Sequence, residues 1–261
     1  MTSEILKVFR DIGKEAVPLI KNLKDGKEVV GENPIGQNSL KADVALEDLV
    51  IERLRESGLG GTLETEEKGR VELGEGPYRF VCDPLDGSGN YFRDVPFYGM
   101  VLGAAEGDRF NDLCCSYIIC LTSGDEWWAT DEGAFLNGKK ISSSDITDLS
   151  KCICEFDPVP GPQVYDRILP VLKKSKDARR YGANAIAYCL LAQGGLHVFL
   201  NIESEISAIH TPGLHIAKNA GCVITTDDGG DFNPKLEVEK GMSFVASANK
   251  ELHKKVLKLI G

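Results

Sequence analysis

Apolar and polar residues alternate in five short stretches between residues 62 and 130. A period of two residues is typical of β-strands that bury one face, and the turn residues between the stretches favour antiparallel neighbours. The stretches are TLETEE, YRFVCD, YGMVLGAA, DLCCSYIICL and EWWAT, and GAFLNGKKISSS at 133–144 follows them with the Asn-Gly pair of a hairpin. We therefore predict a mostly antiparallel sheet in the first half of the chain.

Two segments of helical periodicity precede these strands. Residues 4–23 repeat apolar positions every three or four residues, with Pro18 as an expected bend or break. A second helix is predicted at 43–56, and Gly58 ends it. Between them, residues 26–41 are rich in Gly, Asn and Pro, which favours a loop or a short ribbon. We expect the two helices to pack on the sheet.

Strands and helices alternate in the second half of the chain, which predicts an α/β layer structure. The strand-like runs are CICEFD, RRYG, LHVFL, CVITT and SFVAS, and the helical segments are 164–173, 185–192, 214–219 and 249–260. The change of pattern lies near residues 145–151. The whole chain is therefore predicted to have an α+β fold, with an N-terminal α+β unit at 1–148 and a C-terminal α/β unit at 149–261.

The charge and the cysteines restrict the partners of the chain. It carries 30 Lys and Arg residues against 40 Asp and Glu residues, a formal net charge of −10, so nucleic acid is not an expected partner. No apolar run approaches the roughly 18 to 20 residues of a membrane helix, and acidic residues near the N-terminus are untypical of a signal peptide. The eight cysteines lie mostly in apolar segments, which favours reduced thiols and a cytoplasmic location.

The most informative motif is FVCDPLDGSGNYF at residues 80–92. A buried strand delivers Asp83 at its end, and Asp86 follows three residues later, so a single helical turn would place both carboxylates on one side. Gly87 and Ser88 would then begin a helix whose free N–H groups attract a phosphate. Two carboxylates beside a phosphate need a cation between them, and oxygen ligands suit Mg²⁺ or Mn²⁺.

Simpler interpretations of these acidic residues remain open. Asp83 and Asp86 would also serve as caps of the following helix. The acidic pair Glu66 and Glu67 follows a short strand, where it would complete a metal site or form a solvated acidic turn. Asp43, at the start of the second predicted helix, would join the site or act as a plain N-terminal cap.

Together these residues resemble the inositol monophosphatase and fructose-1,6-bisphosphatase superfamily, which comprises magnesium-dependent, lithium-sensitive sugar-phosphate phosphatases. Residues 83–88 match the D-P-[IL]-D-G-[TS] motif of that superfamily at every position. Glu66 and Glu67 correspond to its upstream acidic pair, and Asp43 to its helix-start aspartate. The segments that resemble its later elements are GAFLNGKKI (133–141), RRYGANAIAYCLLAQG (179–194) and FVASANKELHKKVLKLI (244–260).

The resemblance implies a layered α/β/α/β/α sandwich, usually a homodimer, that binds Mg²⁺ and a small phosphorylated substrate. It also implies three sets of site residues. The metal ligands would be Glu66, Asp83, Asp86 and the Leu85 carbonyl, and the catalytic side chains Asp43, Glu66, Glu67 and Ser88. Gly87 and Ser88 would bind the phosphate, Gly182, Ala183 and Asn184 would line the sugar or polyol, and Arg180, beside Arg179, is a candidate for a second phosphate or a plain surface residue.

One segment departs from the superfamily pattern. A further metal-binding aspartate belongs in its W-D-x-A-A-G segment, where this chain has SAIHTPGLHIAKNAGC at 207–222. An ungapped count places Ile209 at that position, and a one-residue deletion places His210 there. Neither is a carboxylate, so His210 is the only candidate ligand of the two. We expect the second metal site to be weak or empty and the activity to be low or shifted towards Mn²⁺.

The predicted function is Mg²⁺-dependent hydrolysis of a small phosphate monoester by a metal-activated water. Inositol monophosphate, fructose 1,6-bisphosphate and related sugar or polyol phosphates are the candidate substrates. Two alternatives remain: a phosphatase for 3′-phosphonucleotides, and a catalytically weakened member that binds a ligand or regulates a partner.

Overall fold

The structure is a computed structural model that describes residues 2–34, 36–157, 162–203, 206–238 and 241–261. The elements of the first half are α1 (Thr2–Asn22), β1 (Val29–Glu32), β2 (Asn38–Leu40), α2 (Lys41–Ser57), β3 (Gly61–Thr65), β4 (Gly69–Gly74), β5 (Tyr78–Asp86), α3 (Ser88–Phe92), β6 (Gly99–Ala105), β7 (Leu113–Cys120), β8 (Glu126–Thr130), β9 (Gly133–Leu136) and β10 (Lys139–Lys140). Those of the second half are β11 (Ile153–Phe156), α4 (Pro162–Lys174), β12 (Asp177–Arg179), α5 (Asn184–Ala192), β13 (Val198–Asn201), α6 (Thr211–Asn219), β14 (Val223–Thr225), β15 (Phe244–Ser247) and α7 (Lys250–Ile260).

Two sheets organise the molecule. The larger has eight strands in the order β10-β9-β8-β7-β6-β5-β3-β4, and every pair is antiparallel except β3 with β5. The smaller has the order β12-β11-β13-β15-β14, in which β11 runs parallel to both of its neighbours. The predicted antiparallel sheet and the predicted ribbon at β1 and β2 are both present.

Three helix layers enclose the sheets. Helices α1 and α2 cover one face of the large sheet with an apolar core that includes Phe9, Leu46 and Phe80. Helices α5 and α6 fill the space between the two sheets, where Tyr188 packs against Phe199. Helices α4 and α7 cover the outer face of the small sheet. The result is the α/β/α/β/α sandwich that the resemblance implied.

Of the bend or break expected at Pro18, the break is wrong, because α1 continues through that residue, and the bend stays a prediction. Pro18 and Lys14 both lie on the exposed side of the helix, so water can replace the hydrogen bond that proline cannot donate. The division of the chain into units 1–148 and 149–261 stays a prediction, since α5 and α6 pack against both sheets. None of the described helices is both long enough and apolar enough to cross a membrane.

Candidate active site

A β-bulge places the two motif aspartates on the same side of the large sheet. The predicted helical turn after Asp83 is wrong, because β5 stays extended through Asp86. Asp83 lies opposite Val101 and Asp86 opposite Gly99, so three steps along β5 match two steps along β6. The extra residue on β5 interrupts the alternation of side chains between the two faces of the sheet, and both carboxylates therefore face the same side.

Asp86 is bound by a helix from the second half of the chain. Its Oδ1 accepts a hydrogen bond from the Asn184 N–H at 2.9 Å, and its Oδ2 accepts one from the Ala185 N–H at 2.8 Å. These N–H groups belong to the first turn of α5, whose dipole favours an anion there. Asp86 thus caps α5 rather than the helix that follows it in sequence. Burial and the charge of Asp83 raise the pKa of Asp86 to about 6, against the opposing effects of His210 and the N–H groups.

Asp83 is the centre of the charged cluster. Its surface is 2 % exposed, and its Oδ2 lies 2.9 Å from Nε2 of His210. The same nitrogen of His210 lies 3.7 Å from Oδ1 of Asp86. The Glu66 carboxyl also contacts Asp83, and the pKa of Glu66 is raised well above its usual value by burial and by the Asp83 charge. The backbone N–H of Leu85 donates to Asp83 Oδ1 at 2.9 Å.

In the segment at 207–222, which differs from the superfamily pattern, His210 and not Ile209 faces these carboxylates. Residues Ala208–His210 form a short 3₁₀ turn before α6, and the side chain of Ile209 is fully buried in the core between the sheets. Burial alone would lower the pKa of His210, but the hydrogen bond to Asp83 and the surrounding carboxylates raise it to about 10. A cationic imidazole therefore lies where the superfamily pattern has an aspartate.

Asp43 and Glu67 lie close enough to Asp83 for its charge to act on both of them. Asp43 is buried, and burial followed by the charges of Glu67 and Asp83 raises its pKa to about 8. Its Oδ2 accepts a hydrogen bond from the Leu40 N–H at 2.7 Å, so it also caps the start of α2. The Glu67 carboxylate accepts a hydrogen bond from the Ser39 hydroxyl.

The turn after Asp86 is compact and directed towards the second half of the chain. Gly87 has a φ of 88° and precedes Ser88, the first residue of α3. A Cβ built on Gly87 would lie 2.9 Å from the Cβ of Ala183 and 3.1 Å from the Phe97 carbonyl oxygen. Helix α3 has only five residues, so the predicted helix start is present but short.

We expect Gly87→Ala to destabilise the protein and to impair substrate binding. A left-handed backbone costs a residue with a Cβ about 1–2 kcal/mol, and the contact with Ala183 adds to this cost. Gly89→Ala is the matched control, because the nearest atom to its Cβ is in the Arg93 side chain at 3.5 Å. Thermal denaturation and KM measurements on both variants test this. Equal stability of the two proteins would contradict it.

The predicted substrate side lies against this turn. Gly182 has a φ of 72°, Ala183 is buried, and Asn184 donates from Nδ2 to Asp157 Oδ2 at 3.1 Å. Arg180 extends into solvent at the same place and donates to Asp157 Oδ1 at 2.7 Å. The segment therefore reaches the carboxylate of Asp86, while the Arg180 guanidinium is already paired with Asp157.

Three polar residues that the sequence analysis did not single out support the segments around the charged cluster. Asn90 donates from Nδ2 to the Phe97 and Tyr181 carbonyl oxygens at 2.8 and 2.7 Å. Glu155, 1 % exposed, accepts a hydrogen bond from the Tyr181 N–H at 3.0 Å. Glu47 lies in α2, behind the turn that carries Glu66. Two of the three residues could have been found from the sequence. Asn90 belongs to the same motif as Asp86, and Glu47 follows Asp43 by one helical turn.

The cluster has the composition of a divalent metal site. Asp83, Asp86 and His210 each offer one ligand atom within 4.8 Å of the others, and Glu66 contacts Asp83. Burial, and after it the charge of the neighbouring Asp83, raises the pKa of Glu66 and Asp86. A cation relieves the repulsion from that charge, so the residues fit a metal ion that prefers oxygen ligands.

Comparison with known proteins decides the family. A sequence model of the inositol monophosphatase family matches residues 1–261. The chain belongs to this family. A fructose-1,6-bisphosphatase/inositol-1-monophosphatase of Archaeoglobus fulgidus is 33 % identical over 267 residues, which cover 98 % of each chain. A bifunctional NADP phosphatase/NAD kinase of Methanococcus maripaludis is 29 % identical over 100 % of this chain and 49 % of its own length.

The fold agrees with this assignment. The crystal structure of an inositol monophosphatase-fructose 1,6 bisphosphatase superposes with a TM-score of 0.86 at 24 % identity, covering 97 % of this chain and 98 % of the other. As a member of the inositol monophosphatase family, the protein is a phosphoric monoester hydrolase. Its departure from the superfamily pattern at His210 lies within the charged cluster.

Proposed function

We propose that the protein hydrolyses a small sugar or polyol phosphate with the help of divalent metal ions. The observation that carries this proposal is the convergence of Glu66, Asp83 and Asp86 beside the Gly87–Ser88 turn. A phosphatase needs a cation site next to a group that receives the phosphate, and family membership supports both roles.

The metal ligands would be Glu66, Asp83, the Leu85 carbonyl and Asp86, with His210 as an additional nitrogen ligand. Mg²⁺ suits the oxygen ligands, and the imidazole makes Mn²⁺ a second candidate. Such ions would supply an activated water and offset charge on the attacking and leaving oxygens.

The remaining site residues would bind and orient. Gly87 and Ser88 hold the phosphate through their N–H groups. Asp43 and the Ser88 hydroxyl orient the attacking water, and the ionised form of Asp43 accepts its proton. Burial, followed by the charges of Glu67 and Asp83, raises the pKa of Asp43 to about 8, so this form predominates only above that pH. Glu67 supports the Glu66 turn through its contact with Ser39.

We expect Ser88→Ala to lower kcat more than it raises KM. The hydroxyl would act on the attacking water in the transition state, whereas the backbone N–H that binds the phosphate stays in place. Steady-state kinetics with one sugar phosphate measure both constants. A rise in KM at unchanged kcat would make Ser88 a simple binding residue.

The substrate side favours a monophosphate. Gly182, Ala183 and Asn184 would line the sugar or polyol, next to the Asp86 carboxylate. Arg180 would meet a second phosphate only by leaving Asp157, which lies 2.7 Å away. Assays with Mg²⁺ or Mn²⁺ on inositol monophosphate, fructose 1,6-bisphosphate and related esters test the proposal. No hydrolysis of any of them would refute it.

Two other functions have a specific observation in their favour. The ion pair between His210 and Asp83 favours a weakened member that binds a ligand or regulates a partner, because the imidazole competes with a metal for this carboxylate. Similarity to an NADP phosphatase/NAD kinase favours a phosphonucleotide as substrate, while the 3′-phosphonucleotide predicted from the sequence stays a prediction. The same assay, extended to phosphonucleotides, separates these functions. The homodimer and the cytoplasmic location stay predictions.

A further inference from the structure

Glu47 is a buried carboxylate with an unusual set of partners. It lies in α2 with 0 % of its surface exposed. Its Oε1 accepts three hydrogen bonds, from the Thr65 hydroxyl at 2.7 Å and from the N–H groups of Glu67 and Lys68, both at 3.1 Å. These three donors span the end of β3 and the turn that follows it.

The position of Glu47 is costly in stability. Its Oε2 is buried and accepts no hydrogen bond from the described residues, and the Lys68 ammonium lies 3.7 Å away. Burying a carboxylate with one such oxygen carries a desolvation cost that its other contacts have to offset. A role in holding the turn explains the residue better than a role in stabilising the core.

The turn has a demanding geometry. Glu66 is directed to Asp83, and the adjacent Glu67 is directed to Ser39. A divalent ion shared by Glu66 and Asp83 requires both carboxylates to stay close together although their like charges repel. The hydrogen bonds from Glu67 and Lys68 to Glu47 fix two successive peptide groups, and these groups set the direction of the Glu66 side chain.

We propose that Glu47 is a positioning residue that holds the Glu66 turn in the geometry required to bind a divalent ion. This inference rests on the proposed metal dependence of the function. It depends mainly on where one oxygen atom of Glu47 lies, and only to a small extent on its charge.

Two substitutions separate position from charge. Glu47→Gln keeps an acceptor oxygen at the place of Oε1 and removes the charge. Glu47→Asp keeps the charge but withdraws the carboxylate by one methylene from Thr65, Glu67 and Lys68. Val50→Ala is the matched control, because it weakens the same helix at a fully buried position in the apolar core and removes no hydrogen-bond acceptor.

The test measures Mn²⁺ binding in the absence of substrate, by the electron paramagnetic resonance of free Mn²⁺, with thermal denaturation of each variant. We expect E47D to lose about 10- to 100-fold in affinity, the range for residues that orient metal ligands. E47Q is expected to lose only a few-fold, from the missing negative charge, and V50A to lose stability but not affinity.

The opposite order would overturn the proposal. It is refuted if E47D binds Mn²⁺ as tightly as wild type, or if a folded E47Q binds more weakly than E47D. Should E47D not fold, a folded E47Q with an affinity lowered tenfold or more would refute it alone. Wild-type protein that binds Mn²⁺ but hydrolyses no phosphate ester refutes the proposed function and leaves the role of Glu47 intact. Wild-type protein that binds no divalent ion refutes both.

Discussion

Asp83→Asn is expected to reduce metal-dependent phosphatase activity by about 10³-fold, because a metal ion supplies several kcal/mol of charge stabilisation and each 1.36 kcal/mol is tenfold in rate. Asp83 contacts both Glu66 and His210, so no other carboxylate of the cluster replaces it. The fold should persist, since asparagine keeps an oxygen for the Leu85 N–H, and the Asp86 carboxylate remains 3.7 Å from the imidazole of His210.

Glu64→Gln is the control for this substitution. Glu64 is a buried carboxylate on β3, two residues before Glu66, and it is paired with Arg79 at 2.9 Å rather than with the cluster. Phosphatase rates and circular dichroism of both variants are to be compared. Full activity in D83N, or an equal loss in E64Q, would contradict the assignment of Asp83 to the metal site.

His210→Asp is expected to increase Mg²⁺ affinity by about tenfold or more, because the charge of the ligands strongly tunes the affinity for hard divalent ions. In the wild-type protein a cationic imidazole lies 2.9 Å from Asp83 and must lose its proton or move when a metal binds. The variant replaces this competing cation with an anionic ligand. Calorimetric Mg²⁺ titration and the phosphatase rate both measure the gain.

Ile209→Asp is the matched control for this gain, and it tests the alternative alignment of the segment. Ile209 is fully buried among apolar side chains, so an aspartate there leaves a carboxylate without a partner in the core. We expect lower stability and no increase in Mg²⁺ affinity. A wild-type enzyme that already turns over fast with two tightly bound Mg²⁺ ions would refute the expectation for His210.

The local sequence pattern was sufficient to predict the helices, most strands and the identity of the central aspartates. It predicted the wrong conformation where a segment distant in sequence determines the backbone. After Pro84 the local sequence is compatible with a helical turn, and only pairing with β6 keeps β5 extended as far as Asp86. The N-terminus of α5 binds Asp86 across 98 residues of chain, which no local signal could reveal.

A distant part of the chain also decides whether Ile209 or His210 faces the charged cluster. Both alignments satisfy the local sequence, and packing between the two sheets selects the one that buries Ile209. Glu47 was missed because a glutamate one turn after Asp43 is ordinary on a helix, and its partners lie 18 to 21 residues further along the chain.

The attachment of Asp86 to α5 has a consequence for the order of folding. Residues 61–140 contain the whole large sheet. The hydrogen bonds to Asp86 can form only after Asn184 and Ala185 have been synthesised. Contacts of such separation in sequence form late, since their loop-closure entropy is lost before they are made. We therefore expect the contact between Asp86 and α5 to form late, and recovery of phosphatase activity during refolding should follow the slowest structural phase.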